Sequence, residues 1–114
     1  MKRTALIVGL ILLTLASGAV AADLTFTEGN NFKENESFKV LGFVQNTSDY
    51  VIKDIMVTIK FYDREGKFLR FATTPATPPV LSPGEEASYH VAIPHDERIA
   101  SIKKTARWTI KDEY

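Results

Sequence analysis

Two histidines, His90 and His95, are the only imidazoles in the chain, and they flank Pro94 five positions apart. A zinc site needs several converging nitrogen, sulfur or carboxylate ligands. The sequence has no cysteine, so two imidazoles could build such a site only with carboxylates brought from elsewhere. His90 takes the face opposite Tyr89 and Val91, beside Ser88 and Ala92, and His95 opens the polar connection His95-Asp96-Glu97-Arg98. Both read as surface histidines. A Ser-His-Asp set can be written from these residue types, but no nucleophile elbow presents a serine for it. The acids Asp63, Glu65, Glu85, Glu86, Asp96 and Glu97 fall in turns or at strand starts. Calcium takes about six to eight oxygens, usually from a dense acidic loop, and no D-x-D-x-D-G run occurs. The sequence therefore assigns no catalytic residue, no metal ligand and no cofactor, and the chain reads as a non-enzyme.

Two triplets carry a modification pattern. Asn35-Glu36-Ser37 and Asn46-Thr47-Ser48 both fit the N-glycosylation acceptor. Asn46 also suits a turn in its own right, because its short side chain bonds nearby backbone and tolerates left-handed angles. Asn35 is the better acceptor of the two.

Composition narrows the class further. Fourteen basic and fourteen acidic residues cancel over 114 residues, which leaves no electrostatic footprint for nucleic acid. Lys2 and Arg3 precede an apolar run from Ala5 to Leu15 and a small-residue tail, Ala16 to Ala22, that ends at Asp23. This is the layout of a secretory signal peptide. A retained membrane anchor is the alternative, since Ala5 to Ala22 is nearly long enough to cross a bilayer. The A-x-A spacing of Ala19 and Ala21 favours cleavage. The expected division is a leader over 1–22 and one domain over 23–114, outside the cytoplasm on either reading.

The elements that must position any site are strands. Phe38, Val40, Gly42 and Val44 repeat every second residue, and Asn46-Thr47-Ser48-Asp49 breaks the pattern. Val51, Ile55, Val57, Ile59 and Phe61 resume it before the turn Asp63-Arg64-Glu65-Gly66. Period-2 alternation marks half-buried strands of an antiparallel sheet. Asp23 to Thr27 reads as a short first strand ended by a turn at Glu28-Gly29-Asn30-Asn31. Lys67 to Thr73 continues as a strand, with Leu69 and Phe71 on one face and Phe68 and Arg70 on the other. Prolines 75, 78, 79 and 83 make Thr74–Gly84 a loop or an edge crossing between sheets. Ala87, Tyr89, Val91 and Ile93 form another strand, and Ile99 to Lys111 the last, with Lys103-Lys104 as a potential interruption and Trp108 as a core anchor. Gly42, in mid-strand, predicts a bulge or the close approach of a large side chain or backbone. Six to seven short strands predict an all-β, antiparallel two-sheet sandwich; a small open barrel is the alternative.

Val40-Leu41-Gly42-Phe43-Val44-Gln45-Asn46-Thr47-Ser48, then Ile55-x-Val57-x-Ile59, then Phe61-Tyr62-Asp63 and Gly66, resembles the FxLYD domain. Leu81-Ser82-Pro83-Gly84-Glu85 followed by Tyr89-x-Val91-x-Ile93 is similar to that family's later segment. The resemblance spans Phe38 to Ile110. Ile59 and Phe61 depart from the namesake motif, and both keep a bulky apolar side chain facing inward. The resemblance implies an immunoglobulin-like sandwich of exported or membrane-attached prokaryotic proteins, with no shared enzymatic activity.

The expected role is a non-catalytic, exported interaction or structural module at the cell surface. Its partner would be another envelope or extracellular protein, with membrane contact only if the N-terminal segment is retained. A carrier that binds sugar or metal through its loops is the alternative. Leu41, Phe43 and Phe68 are the expected interaction patch. Leu41 and Phe43 lie on the outer face of a strand whose other face already feeds the core. Either the Pro-rich loop or the N-terminal segment covers them in part, with Phe43 accessible at the edge of a groove, or they meet a partner.

Overall fold

The computed structural model describes residues 23–111, and its regular elements there are all strands: β1 (Leu24–Glu34), β2 (Ser37–Asn46), β3 (Ile52–Tyr62), β4 (Phe68–Pro75), β5 (Val80–Leu81), β6 (Glu86–Pro94) and β7 (Ser101–Ile110). The leader expected over 1–22 lies outside the described residues. The strands pair antiparallel in two sheets. Sheet A has the order β1-β2-β6. In sheet B the central strand β3 pairs with β7 along one side, and with β4 and then β5 along the other. The expected two-sheet antiparallel sandwich is thus the observed architecture, and the strands do not close into one barrel.

Alternation explains the core. Val40 and Val44 of β2, Ile55, Val57, Ile59 and Phe61 of β3, and Ala87, Tyr89, Val91 and Ile93 of β6 all point between the sheets and are buried. β-Branched and aromatic residues dominate this set because they pack well on a pleated, half-buried surface. Phe38 sets its ring edge-on to Phe61 at 6.0 Å and closes one end of the core.

Three bulges, each one extra residue on one strand of a pair, change which side chains share a face. In β1 the register steps from Phe26 opposite Val44 to Gly29 opposite Gly42. The Gly-Asn composition read as a turn is instead strand: pairing with β2 carries β1 through a bulge to Glu34. In β3 the step from Lys53 opposite Thr109 to Met56 opposite Arg107 leaves Asp54 at φ 55. That bulge flips the parity, so Ile52 rather than Val51 takes the inward place. In β4, Arg70 stands opposite Phe61 and Phe68 opposite Tyr62. Phe68 and Phe71 therefore share the outer face, where strict alternation would separate them.

The proline segment is an edge crossing. Ala76 N donates to Ile55 O at 3.1 Å, still on sheet B, and Thr77 then exchanges two backbone bonds with Ser88 on the free edge of β6, at 2.9 and 2.8 Å. β7 runs through Lys103 and Lys104 without interruption.

Candidate functional site

Most of the residues with chemical potential are committed to turns. Asp63 Oδ1 accepts the backbone N–H groups of Glu65 and Lys67 at 2.9 and 2.8 Å. Glu85 Oε1 accepts Ser82 N at 2.8 Å. Asp96 accepts from the Arg98 guanidinium and backbone, and those hydrogen bonds hold its carboxyl down at about 2. His90 is exposed on the outer face of sheet A, opposite Leu41. His95 lies against the Phe38 ring at 6.5 Å, with its Nδ1 buried and unpartnered. Among the described residues no group of three His, Asp or Glu could hold a metal ion.

The glycosylation reading of Asn46 is corrected by its surroundings. Its side chain is fully buried. Nδ2 donates to Tyr50 O at 2.7 Å and Leu81 O at 3.0 Å, and Oδ1 accepts Ser48 N at 2.9 Å and Ser48 Oγ at 2.6 Å. Every hydrogen-bonding position of the amide is used. A sugar on Nδ2 would displace the bonds that tie the β2–β3 turn to the Leu81 strand. Asn35 differs: it sits exposed at φ 57 in the two-residue turn between Glu34 and Ser37, with its amide clear of the core.

The expected patch of Leu41, Phe43 and Phe68 does not form one surface. Leu41 and Phe43 lie on the outer face of sheet A. Leu41 is half-buried between Asn30 and His90 in the flanking strands, and Phe43 is 36% exposed opposite Ser88. Their partial cover comes from β1 and β6; the proline segment runs along the far edge of β6. Phe68 belongs to sheet B, where it stacks on Phe71 at 6.4 Å and sets its ring edge-on to Tyr62 at 6.0 Å. Phe68 is 53% and Phe71 59% exposed. Only pairing of β4 with β3, through its bulge, separates Phe68 from Phe43 and joins it to Phe71.

Two further features were read in sequence only in part or not at all. The first lies between the sheets. Gly42 has no side chain because the Glu28 carbonyl of the β1 bulge and the Tyr89 ring both press against it. The close approach expected there is therefore real on both counts. Lys104 points inward from the edge strand β7, reaches Gly29 of β1, and holds Nζ 5.4 Å from the Tyr89 ring centre. Burial lowers the Lys104 ammonium to about 8 and pushes the Tyr89 phenol up, with its hydroxyl buried and unpartnered. An inward charge on an edge strand discourages pairing with another chain, and the face of the Tyr89 ring favours a nearby cation. The available signal was a lysine at an inward position between Ile102 and Ala106.

The second feature is the outer face of sheet B. Cross-strand register places Phe71, Lys60 and Lys103 in one row, Thr73, Thr58 and Thr105 in the next, and Pro75, Met56 and Arg107 in the third. At the third row β4 leaves β3 and a groove of about 420 Å³ opens, lined by Asp54, Met56, Pro75, Pro79, Arg107 and Trp108. Trp108 also packs against the core, so the expected anchor has a second, solvent-facing side.

These features define an antiparallel β-sandwich domain with two unlike outer faces. No family model matches the chain, and no curated protein matches it. Among solved structures it is similar to a DUF1425 family member from Shewanella sp. pv-4, at 12% identity and a TM-score of 0.55, over 85% of this chain and 88% of that one. Likeness at that identity is a likeness of fold.

Proposed function

We propose that this chain is an exported β-sandwich module of the FxLYD type that acts without catalysis, by binding another protein of the envelope or extracellular space. The observation that carries the reading is the exposed aromatic group of sheet B, where Phe68 and Phe71 leave more than half their surface to solvent. Apolar side chains clustered on a surface and rimmed by polar residues mark interaction sites. The leader over 1–22 supplies export, and the mature domain starts at Ala22 or Asp23.

The test is a photo-crosslinking residue placed at Phe71 in the native host, with Phe43 as the control position, followed by intact-mass analysis of the recovered protein. A protein adduct at Phe71, on a chain that has lost Met1 to Ala21, is the expected result. Lipid adducts alone, or none at either position, would overturn the reading. The alternative, a small-ligand carrier, rests on the groove beside Asp54 and Arg107. Thermal-shift screening against sugars and divalent metals tests it, with stabilisation lost in Arg107→Ala as its signature.

A further inference from the structure

We propose that the outer face of sheet B is a binding strip for an extended, acidic segment of the partner protein, carrying apolar side chains at both ends. This inference rests on the protein-binding reading above and names the chemistry of the partner. Opposed residues on paired strands share a face and lie close enough to interact, and like charges directly opposite are unfavourable. Lys60 and Lys103 are such a pair, and the other neighbour of Lys60 is Phe71. Lys53 and Arg107 lie on the same face, opposite Thr109 and Met56 respectively. Asp54, in the β3 bulge, is the acid beside them, and it makes no ion pair among the described residues. The fold gains nothing from setting two lysines side by side. A carboxylate laid over them relieves the repulsion and bonds both.

The length and ends of the ligand follow from the same rows. Aromatic side chains at Tyr62, Phe68 and Phe71 form one apolar end, and the groove beside Met56, Pro75 and Trp108 forms the other. Tyr62 and Met56 are separated by about 20 Å at a strand rise of about 3.3 Å per residue. Six or seven extended residues of a partner span about that distance. Lys60, Lys103 and the Thr58 and Thr105 hydroxyls lie between the two ends, and Arg107 stands at the groove. A planar anionic bilayer would meet the lysines but could not fill a groove cut into the face. A polypeptide places one side chain there and its carboxylates over the lysines.

Selection of random dodecapeptides displayed on phage against the mature domain tests this, with vesicles of phosphatidylglycerol as a parallel probe. The expected winners carry acids flanked by apolar residues. Their binding weakens with salt and falls about tenfold or more in K60E/K103E, because like charges across an interface are strongly unfavourable. Thermal unfolding of K60E/K103E, at an outer-face position, confirms that the fold is intact. Peptides that survive K60E/K103E but are lost in L41S/F43S would keep the protein-binding reading and overturn this one. Neutral winners, or vesicle binding without peptide enrichment, would also overturn it.

Discussion

The outer faces of the two sheets are built on the same pleat and treat their charges in opposite ways. On sheet A, Lys39 is paired with Glu34, whose carboxyl is lowered by that contact. Glu86 stands across from Gln45, and the apolar residues Leu41 and Phe43 are shielded in part by flanking strands. On sheet B, Lys60 faces Lys103, and the aromatic rings stand clear at one end. An ion pair satisfied within the chain is spent on the fold. A like-charge pair with bare aromatics beside it is a cost that the fold leaves standing.

The largest expected effect lies beneath sheet B. Ile59, fully buried one residue before Lys60, should cost about 2–5 kcal/mol when cut to alanine. Thr58→Ala, on the outer side, should stay within about 0.5 kcal/mol. Chemical denaturation of both variants reads this, and equal losses would mean that the outer face is structural after all.

Beneath sheet A the counterpart is Gly42→Ala. The added methyl would run into the Glu28 carbonyl and the Tyr89 ring, and overpacking of this kind costs about 1–3 kcal/mol. A neutral result would show that the β1 bulge yields freely and that sheet A is the more pliant side.

Between the sheets, Lys104 should make stability depend on pH. Its folded value, about 8, lies below its ordinary 10.5, so the unfolded chain binds more protons in that window and stability rises with pH. The rise should run from about pH 8 to 10. Above pH 10 the raised Tyr89 phenol works the other way, because the unfolded chain then loses its proton first. Lys104→Met should abolish the rise, and melting curves across that range would show it. A wild-type curve that is flat from pH 8 to 10 would mean that the ammonium stays solvated.

The smallest effect bears most directly on the two faces. Lys60→Glu turns a like-charge pair into an opposite-charge pair with Lys103 and should add a few tenths of a kcal/mol, roughly 0.2–1. Lys39→Glu removes an exposed ion pair with Glu34 and should cost roughly 0–1 kcal/mol. Paired urea titrations at low salt would detect the opposite signs. Equal signs would erase the distinction between the faces.

Alternation alone determined the inward sets of β2 and β6 and of β3 from Ile55 to Phe61, because a pleated strand sends successive side chains to opposite faces whatever its neighbours are. The prolines likewise marked the crossing between Thr74 and Gly84, since proline cannot donate to a ladder. Tertiary structure decided the rest. A bulge depends on the partner strand, so the parity change at Asp54 and the joining of Phe68 to Phe71 were invisible in either strand taken alone. Sequence left Asn46 as either a turn residue or an acceptor, and the turn role holds: its amide also bonds the Leu81 carbonyl of a distant strand, a contact that neither segment shows alone. In sequence Lys60 is one outer-face residue among several, and Lys103 reads only as half of a potential strand interruption. They become neighbours only through the register of β3 with β7, which is set by packing the whole sandwich and by nothing local to either lysine.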